Sequence, residues 1–224
     1  MSSTSLLTKN LPPLAERIRP QVLAEFIGQT NLVHENSLLS KAVLSNQPFS
    51  LIFWGPPGTG KTTLARVLSR EFGVDYFELS AISSGVKQVR EILEMGKTSF
   101  ASGKRSILFI DEIHRFTKSQ QDALLHAVEE GSITLMGATT ENPSFEVISP
   151  LLSRSRVFVL NPLTNIQLRL IIERAIKDKE HGLGNMKPNL TDEAINGLVL
   201  LSNGDVRIGL NALEMATTVT NLMT

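Results

Sequence analysis

The feature that most constrains this chain is a glycine-rich run, Gly55-Pro56-Pro57-Gly58-Thr59-Gly60-Lys61-Thr62. Its spacing fits the phosphate-binding pattern of a glycine, four residues, and then Gly-Lys-Ser/Thr. The apolar residues 50–54 before it predict a buried parallel strand, and residues 63–72 after it carry apolar positions at helical spacing. A strand–loop–helix setting is what this motif requires, so we interpret the run as a phosphate-binding loop rather than as an ordinary Gly/Pro turn.

The chemistry of this phosphate loop, residues 55–62, follows from its composition. Glycines let the backbone wrap an anion with its N–H groups pointing inward, and the helix N-terminus adds a partial positive charge. Lys61 is predicted to reach the β- and γ-phosphates, and the Thr62 hydroxyl to bind Mg²⁺. The sequence therefore predicts a nucleoside triphosphate and Mg²⁺ as ligands.

The length and the charge of the chain limit the number of domains and the kinds of partner that it can have. The 224 residues are enough for one large or two small domains. Lys+Arg and Asp+Glu balance at 22 each, so no global field attracts nucleic acid or a membrane, and any nucleic-acid contact must be local. The chain has no cysteine and no apolar run of membrane-spanning length, which favours a soluble, cytoplasmic protein with no membrane partner.

Strand patterns alternate with helix patterns up to Pro162, after which only helix patterns remain. This order predicts an α/β fold with a parallel five-stranded sheet flanked by helices, followed by a small all-helical domain. We expect an N-terminal arm at 1–22, of which residues 1–13 are loose, the α/β domain at 23–162 and the helical domain at 163–224. The predicted strands cover 50–54, 76–79, 107–110, 133–138 and 157–160; the predicted helices cover 31–44, 63–72, 85–101, 117–130, 151–154, 164–177, 191–201 and 205–221.

Polar residues follow two of the predicted strands. Asp111 and Glu112 come directly after the apolar run 107–110, and Thr139 and Thr140 follow the strand at 133–138. In open parallel sheets ligands bind at this carboxyl edge. Asp111 suits the metal side of a phosphate site, and Glu112 could poise a water for attack on the γ-phosphate. Either threonine could hydrogen-bond that water or the phosphate, and the pattern does not choose between them.

Two arginines are candidates for stabilising a transferring phosphoryl group. Arg154 lies in Leu152-Ser153-Arg154-Ser155-Arg156, and Arg207 lies in Gly204-Asp205-Val206-Arg207 at the start of a predicted helix. Arginine neutralises the charge that spreads over the phosphoryl oxygens. The histidines show no metal-ligand spacing, and we interpret all of them as structural: His34, His114, His126 and His181.

Taken in order, these motifs resemble the AAA+ ATPases of the clamp-loader group. The runs Phe109-Ile110-Asp111-Glu112, Gly137-Ala138-Thr139-Thr140, Ser153-Arg154-Ser155 and Gly204-Asp205-Val206-Arg207 follow the phosphate loop. The longer runs 110–116, 118–122 and 137–145 narrow the resemblance to the replication-associated recombination protein A family. It covers about residues 14–213. It implies a DNA-dependent ATPase that acts in replication-fork maintenance, recombination and repair.

The resemblance implies roles for matching positions. Residues 55–63, which extend the phosphate loop by Thr63, would hold ATP. Asp111 and Glu112 would form the Walker B pair. Thr139 would be sensor 1, with Thr140 as the alternative. Arg154 would act in trans as an arginine finger, and Arg207 would be sensor 2 on the same nucleotide. Ile27-Gly28-Gln29 would pack near the adenine. Helix N-termini that track a DNA backbone in this group match Ser84, Gly85 and Lys87.

The implied partners are single-stranded, gapped or forked DNA and replication proteins such as the single-stranded-DNA-binding protein, with a nucleoid-associated, cytoplasmic location. Ser155 stands where the family usually has cysteine, which matters little because the arginine carries the charge. Family members continue for about as many residues again and form tetramers through that helical region. The resemblance therefore implies that this chain stops within the helices of the lid, without the oligomerisation region.

Two other classes of function compete with this interpretation. A helicase is suggested by the DExH form of Asp111-Glu112-Ile113-His114, but such a motor needs a second domain, for which the stretch after Pro162 is too short. An adaptor that uses ATP only as a conformational ligand would not need Glu112, Arg154 and Arg207. Measuring ATP turnover with and without DNA separates the adaptor from the enzyme.

Overall fold

The structure, a computed structural model, describes residues 11–223, with side chains up to residue 220. Of the arm expected at 1–22, residues 1–10 lie outside this range. The described chain forms two compact units, one of residues 20–161 and one of residues 11–19 together with 162–223. The first is an α/β unit and the second is entirely helical.

The α/β unit is built on a five-stranded sheet in which every paired strand is parallel, in the order β2-β3-β4-β1-β5. This confirms the fold class expected from the sequence. Strands β3, β4 and β1 are neighbours, so the segments that follow them meet at one edge of the sheet. The strands are β1 (Leu51–Trp54), β2 (Asp75–Ser80), β3 (Ser106–Asp111), β4 (Thr134–Thr139) and β5 (Arg156–Val159).

Helices cover both faces of the sheet and make up the second unit. Short 3₁₀ segments lie at Leu23–Glu25, Ile113–Arg115 and Gly184–Met186. The α-helices of the described residues are α1 (Leu14–Arg17), α2 (Thr30–Val33), α3 (Leu38–Leu44), α4 (Lys61–Phe72), α5 (Val86–Ala101), α6 (Lys118–Glu129), α7 (Pro143–Glu146), α8 (Ser149–Ser153), α9 (Asn165–Lys177), α10 (Asp192–Ser202) and α11 (Val206–Met223).

Alternate residues of the inner strands pack on opposite faces of the sheet, as the period of two requires. Phe53 and Phe109 lie on the face covered by α3 and α4, whereas Ile52 and Leu108 lie on the face covered by α5 and α6. All four side chains are fully buried. The inner strands are therefore enclosed by apolar side chains on both sides, which is why they read as continuous apolar runs in the sequence.

Helix starts follow local signals that the sequence carries. Thr117 and Gln120 form the expected capping box at α6, and Thr164 and Gln167 form another at α9. The single helix predicted over residues 31–44 is wrong, because α2 and α3 are separate. The side chain of Ser37 accepts a hydrogen bond from the N–H of Ser40 and begins a new helix there.

The helical unit includes a segment from the beginning of the described chain. Leu14 and Ile18 are buried in its core, beside residues of α9, α10 and α11. The N–H of Leu14 donates to the Glu214 carboxylate at 2.8 Å, and the Arg17 guanidinium pairs with the same carboxylate at 2.5 Å. The expectation of an N-terminal arm separate from the helical domain is therefore wrong for residues 14–18, which belong to its core. Among the described residues, no helix combines the length and the apolar character that a membrane span needs.

Candidate nucleotide site

The phosphate loop is shaped by two places where backbone and side chains approach closely. A Cβ at Gly55 would lie 2.2 Å from the carbonyl oxygen of Leu160, so only glycine fits there. Gly60 has φ +98°, and a Cβ on it would lie 2.8 Å from the ring of Phe26. These contacts fix the two ends of the loop between β1 and α4, and each excludes a side chain for a steric reason.

Within this frame the loop is held by its own polar groups. The Thr59 hydroxyl donates to the carbonyl of Pro56 at 3.0 Å. The Lys61 ammonium is buried and donates to the carbonyls of Gly55 and Pro56 at 2.7 and 2.9 Å. The cation therefore folds back over the loop. The other predicted loop residues lie where the motif places them: Pro56 and Pro57 are exposed, Gly58 has φ +73°, and Thr62 and Thr63 are in the first turn of α4.

The segment predicted to lie near the adenine contacts the same loop. Gly28 and Gln29 both have positive φ, 88° and 51°, which turns the chain sharply before α2. The Gln29 side chain donates to the carbonyl of Asn161 at 2.7 Å and accepts from the N–H of Asn161 at 3.0 Å. Its amide nitrogen also lies 3.4 Å from the Thr59 carbonyl. Gln29 thus ties the phosphate loop to the end of β5, and Ile27 is half-buried beside it.

The predicted acidic pair lies at the carboxyl edge of the sheet. Asp111 ends β3, and Glu112 follows it with a left-handed backbone, φ +55°, which is uncommon for a residue with a side chain. Burial raises the pKa of Asp111 above its usual value, the neighbouring Glu112 charge raises it further, and Lys61 opposes both. Lys61 and Asp111 therefore interact electrostatically, although they come from different motifs.

A hydrogen-bonded chain links Glu112 to the end of β4. The Thr140 hydroxyl donates to Glu112 Oε2 at 3.3 Å, and His114 Nδ1 lies 3.2 Å from the same oxygen. His114 Nδ1 is also 3.0 Å from Thr139 Oγ1, and Thr139 in turn exchanges two hydrogen bonds with the backbone of Glu141. Thr139 is fully buried, so of the two threonines it is Thr140 that contacts the glutamate.

His114 is the residue of this site that the sequence interpretation missed. No metal-ligand spacing surrounds it, and the histidine was therefore expected to be structural. Its position three residues after Asp111, at the carboxyl edge of a parallel sheet, was the available signal.

Gln121, a buried polar residue on α6, supports the segment that leads to Arg154. Gln121 on α6 is 1% exposed. Its amide nitrogen donates to the carbonyls of Phe116 and Glu146 at 3.1 and 3.0 Å, and its oxygen accepts from the N–H of Ile148 at 2.9 Å. Gln121 thereby fastens the turn between α7 and α8 to α6.

The structure places Arg154 at the C-terminus of α8, half-exposed and ion-paired with Glu129 at 2.6 Å. The guanidinium also donates to the Pro150 carbonyl at 3.0 Å and contacts the Ser153 hydroxyl at 3.2 Å. Glu129 ends α6 and carries no motif, so its role as the partner could not be read from the sequence.

The remaining predicted residues lie elsewhere. Arg207 belongs to the helical unit, at the start of α11, where its guanidinium pairs with Asp205 at 2.6 Å. Ser84, Gly85 and Lys87 surround the start of α5, with Gly85 as its N-cap and the Lys87 side chain 91% exposed. Lys87 pairs loosely with Glu91 at 3.8 Å.

Comparison with known proteins matches this arrangement to a family. Residues 51–163, which include the phosphate loop, both acidic residues and Arg154, match the model of the ATPase family associated with various cellular activities, or AAA. The chain belongs to this family.

Relatives of this AAA protein share most of its sequence. Replication-associated recombination protein A of Escherichia coli strain K12 is 48% identical over 91% of this chain and 45% of its own length, and its counterpart in Haemophilus influenzae is 43% identical over 91% and 46%. These matches confirm the resemblance stated above. The chain spans a little under half the length of these relatives.

Solved structures agree with the fold of the AAA protein. RuvB of Thermotoga maritima, described as a Holliday junction branch migration motor, has a TM-score of 0.72 to this chain. It is 32% identical over 91% of this chain and 68% of its own chain. A further relative, found by sequence and not by structure, is ATPase WRNIP1 of Dictyostelium discoideum, which is 42% identical over 95% of this chain and 24% of its own length.

The donor set of the AAA protein suits the expected cation. Mg²⁺ prefers hard oxygen ligands and is usually held by one or two protein oxygens together with phosphate and water. Thr62 offers a hydroxyl and Asp111 a carboxylate. Burial raises the pKa of Asp111 and so favours its protonated form. A divalent cation beside Asp111 would oppose this effect and favour the ionised form, which is the form that binds a metal. The residues present therefore fit the ion.

Asp111→Asn tests the cost of keeping this carboxylate in the site. The raised pKa of Asp111 means that the folded state binds the proton more tightly than the unfolded state. Ionised Asp111 therefore destabilises the fold. This destabilisation begins as the pH rises past the usual pKa of aspartate, and it is complete above the raised pKa of Asp111. We expect Asp111→Asn, without Mg²⁺ or nucleotide, to unfold at higher urea than the wild type at pH 7. The gain should shrink as the pH falls through the raised pKa of Asp111 and be lost below about pH 4.

Urea unfolding followed by circular dichroism at both pH values checks this expectation. Asp122→Asn is the matched control, because Asp122 is exposed on α6. A lower urea midpoint for Asp111→Asn than for the wild type at pH 7 would contradict it.

Proposed function

We propose that this chain is the catalytic part of a DNA-dependent ATPase that hydrolyses ATP to ADP and phosphate, with Mg²⁺, in replication-fork maintenance, recombination and repair. The observation that carries the proposal is the meeting of Lys61, Asp111, Glu112 and Thr140 at one sheet edge. Membership of the AAA family and the names of the relatives support the same class of activity.

Each residue of the site has a role in this reaction. The loop of residues 55–63 would bind the triphosphate through the N–H groups of residues 58–63 and the Lys61 ammonium, and Thr62 and Asp111 would hold the cation. The bound Mg²⁺ supplies charge neutralisation at the phosphate oxygens. Glu112 would orient the attacking water and accept its proton, because it follows the metal-side aspartate directly. Thr140 contacts Glu112 and so can orient it, which supports Thr140 as the alternative to Thr139 for the sensor 1 role.

The two arginines would act on the phosphates after leaving their present acidic partners. Arg154 pairs with Glu129 and Arg207 pairs with Asp205, and all four side chains are partly exposed. An exposed ion pair such as Arg154–Glu129 contributes only about 0–1 kcal/mol, so a phosphate group can replace that carboxylate at little cost. Arg207 is held by both oxygens of Asp205, so it would leave its partner at a greater cost. Arg154 would serve the nucleotide of a neighbouring subunit and Arg207 that of its own.

The partners proposed for the whole protein are DNA, replication proteins such as the single-stranded-DNA-binding protein, and further copies of the protein, up to the tetramer of the related family. Relatives named for replication and recombination support DNA as the partner. The neutral net charge means that contacts to DNA depend on a few placed groups, of which Lys87 at the start of α5 is our candidate. A cytoplasmic, nucleoid-associated location follows from this proposal.

Glu112→Gln tests the hydrolytic mechanism. The amide keeps the shape of the side chain but cannot accept the proton of the attacking water. We expect ATP and Mg²⁺ to bind nearly as well as in the wild type, and turnover at saturating ATP to fall by about 10²–10⁴-fold. Binding is measured by calorimetry and turnover by phosphate release, each with and without DNA.

Glu141→Gln is the control for Glu112→Gln, since Glu141 contributes only its backbone to the site. Equal turnover by the Glu112→Gln variant and the wild type would remove Glu112 from the mechanism. If the wild type binds ATP but does not hydrolyse it, with or without DNA, the result would favour the alternative function of an adaptor that uses ATP only as a conformational ligand.

Arg154→Ala tests action in trans. We expect ATP binding to persist and hydrolysis to fall by about 10³–10⁵-fold, the range known for arginine fingers. In mixtures with a Lys61→Ala variant, some interfaces combine an intact phosphate loop with an intact Arg154, so partial activity should return. Arg156→Ala, two residues away and exposed, is the control. No recovery in mixtures that sedimentation shows to co-assemble would argue against a trans role.

Lys87→Ala tests the proposed DNA contact. Loss of one phosphate contact should weaken DNA-stimulated hydrolysis for all sequences alike and lower the salt slope of DNA binding by about one. Lys97→Ala is the matched control, because Lys97 lies on the same helix and pairs with Glu94 at 3.7 Å. A loss limited to one DNA sequence, or an unchanged salt slope, would show that the strand binds elsewhere.

A further inference from the structure

His114 stands between two groups of the proposed catalytic site. Its Nδ1 lies 3.2 Å from Glu112 Oε2 and 3.0 Å from Thr139 Oγ1. Its side chain is 12% exposed and that of Glu112 is 25% exposed, so both are largely shielded from solvent. Neither the motifs nor the family match assigns this histidine a role.

The surrounding hydrogen bonds decide which atom carries the hydrogen. The Thr139 hydroxyl donates to the Glu141 carbonyl and accepts from the Glu141 N–H, which leaves it one lone pair for a further donor. The hydrogen of the His114–Thr139 bond therefore lies on His114 Nδ1 and is donated to Thr139. Glu112 Oε2, which can only accept, lies 3.2 Å from the same N–H group, so the contact between them is electrostatically favourable.

The position of the imidazole is fixed by packing rather than by these bonds alone. His114 lies in the 3₁₀ segment Ile113–Arg115, whose first residue is fully buried. The Ile113 side chain packs against β4 so closely that a Cβ at Gly137 would lie 3.2 Å from it. The segment is thus anchored beneath the central strand, and a shift of β4 would be transmitted to His114.

We propose that His114 is a positioning residue for ATP hydrolysis: its Nδ1–H, bonded to Thr139 at the end of β4, faces the Glu112 carboxylate and restrains it. The Thr140 hydroxyl also donates to Glu112 Oε2, and a second contact restricts the rotation of the side chain before the reaction, which removes that freedom from the barrier. This inference rests on the proposed function, in which Glu112 is the base.

Misplacing a catalytic group by about 1 Å costs on the order of 10²-fold in rate. We therefore expect the loss of the His114 contact to lower the rate of hydrolysis measurably.

The test compares three variants in steady-state ATP hydrolysis with Mg²⁺ and DNA. His114→Ala should lower kcat by about 10- to 10²-fold with KM changed less than about twofold, because it removes orientation and not ATP binding. His114→Asn, whose side-chain N–H can take the place of Nδ1–H, should recover most of kcat. In a Glu112→Gln background, His114→Ala should cause no further loss, since the group it positions is gone.

His126→Ala is the control, because His126 is an exposed histidine on α6. Thermal unfolding of each variant shows whether the fold is intact. A wild-type kcat in His114→Ala would overturn the inference, as would a loss that His114→Asn does not recover or a further loss on top of Glu112→Gln. The proposed function fails separately if the wild type itself does not turn over ATP.

Discussion

The site depends on the parallel pairing of β4 between β1 and β3. This register aligns the ends of three strands that are far apart in the sequence, so that the phosphate loop, the acidic pair and the two threonines converge. The Gly55 N–H donates to the Thr139 carbonyl at 3.2 Å, which joins the start of the loop directly to the end of β4. Because the inner strands are enclosed by apolar side chains on both faces, this alignment is fixed by the core and not by the polar groups.

Much of this arrangement is predictable because the signals are local. The phosphate loop, the strand that leads to Asp111 and the capping box at Thr117 each occupy a few consecutive residues, and each has one dominant physical cause. The parallel sheet then follows from the alternation of strands and helices. Thr139 and Thr140 could not be separated in this way, because only the three-dimensional turn shows that one is buried and the other faces Glu112.

Two features that sequence reasoning missed depend on contacts between distant residues. Glu129 meets Arg154 only because α6 and α8 pack together, and His114 reaches Thr139 only because β3 and β4 are neighbours. Neither pairing leaves a pattern along the chain. The split between α2 and α3 is different, since the serine cap is local, but its effect was outweighed by the helical spacing of the apolar residues around it.

The packing of α1 has a consequence for how the chain acquires its structure during synthesis. Leu14 bonds to Glu214, 200 residues further along, whereas the α/β unit ends at Asn161. At about 5–20 residues per second, translation of that interval takes about 10–40 s. The α/β unit can therefore fold on the ribosome while Leu14 and Ile18 still lack the helices that bury them. The segment with which the described chain begins is thus among the last to reach its native contacts.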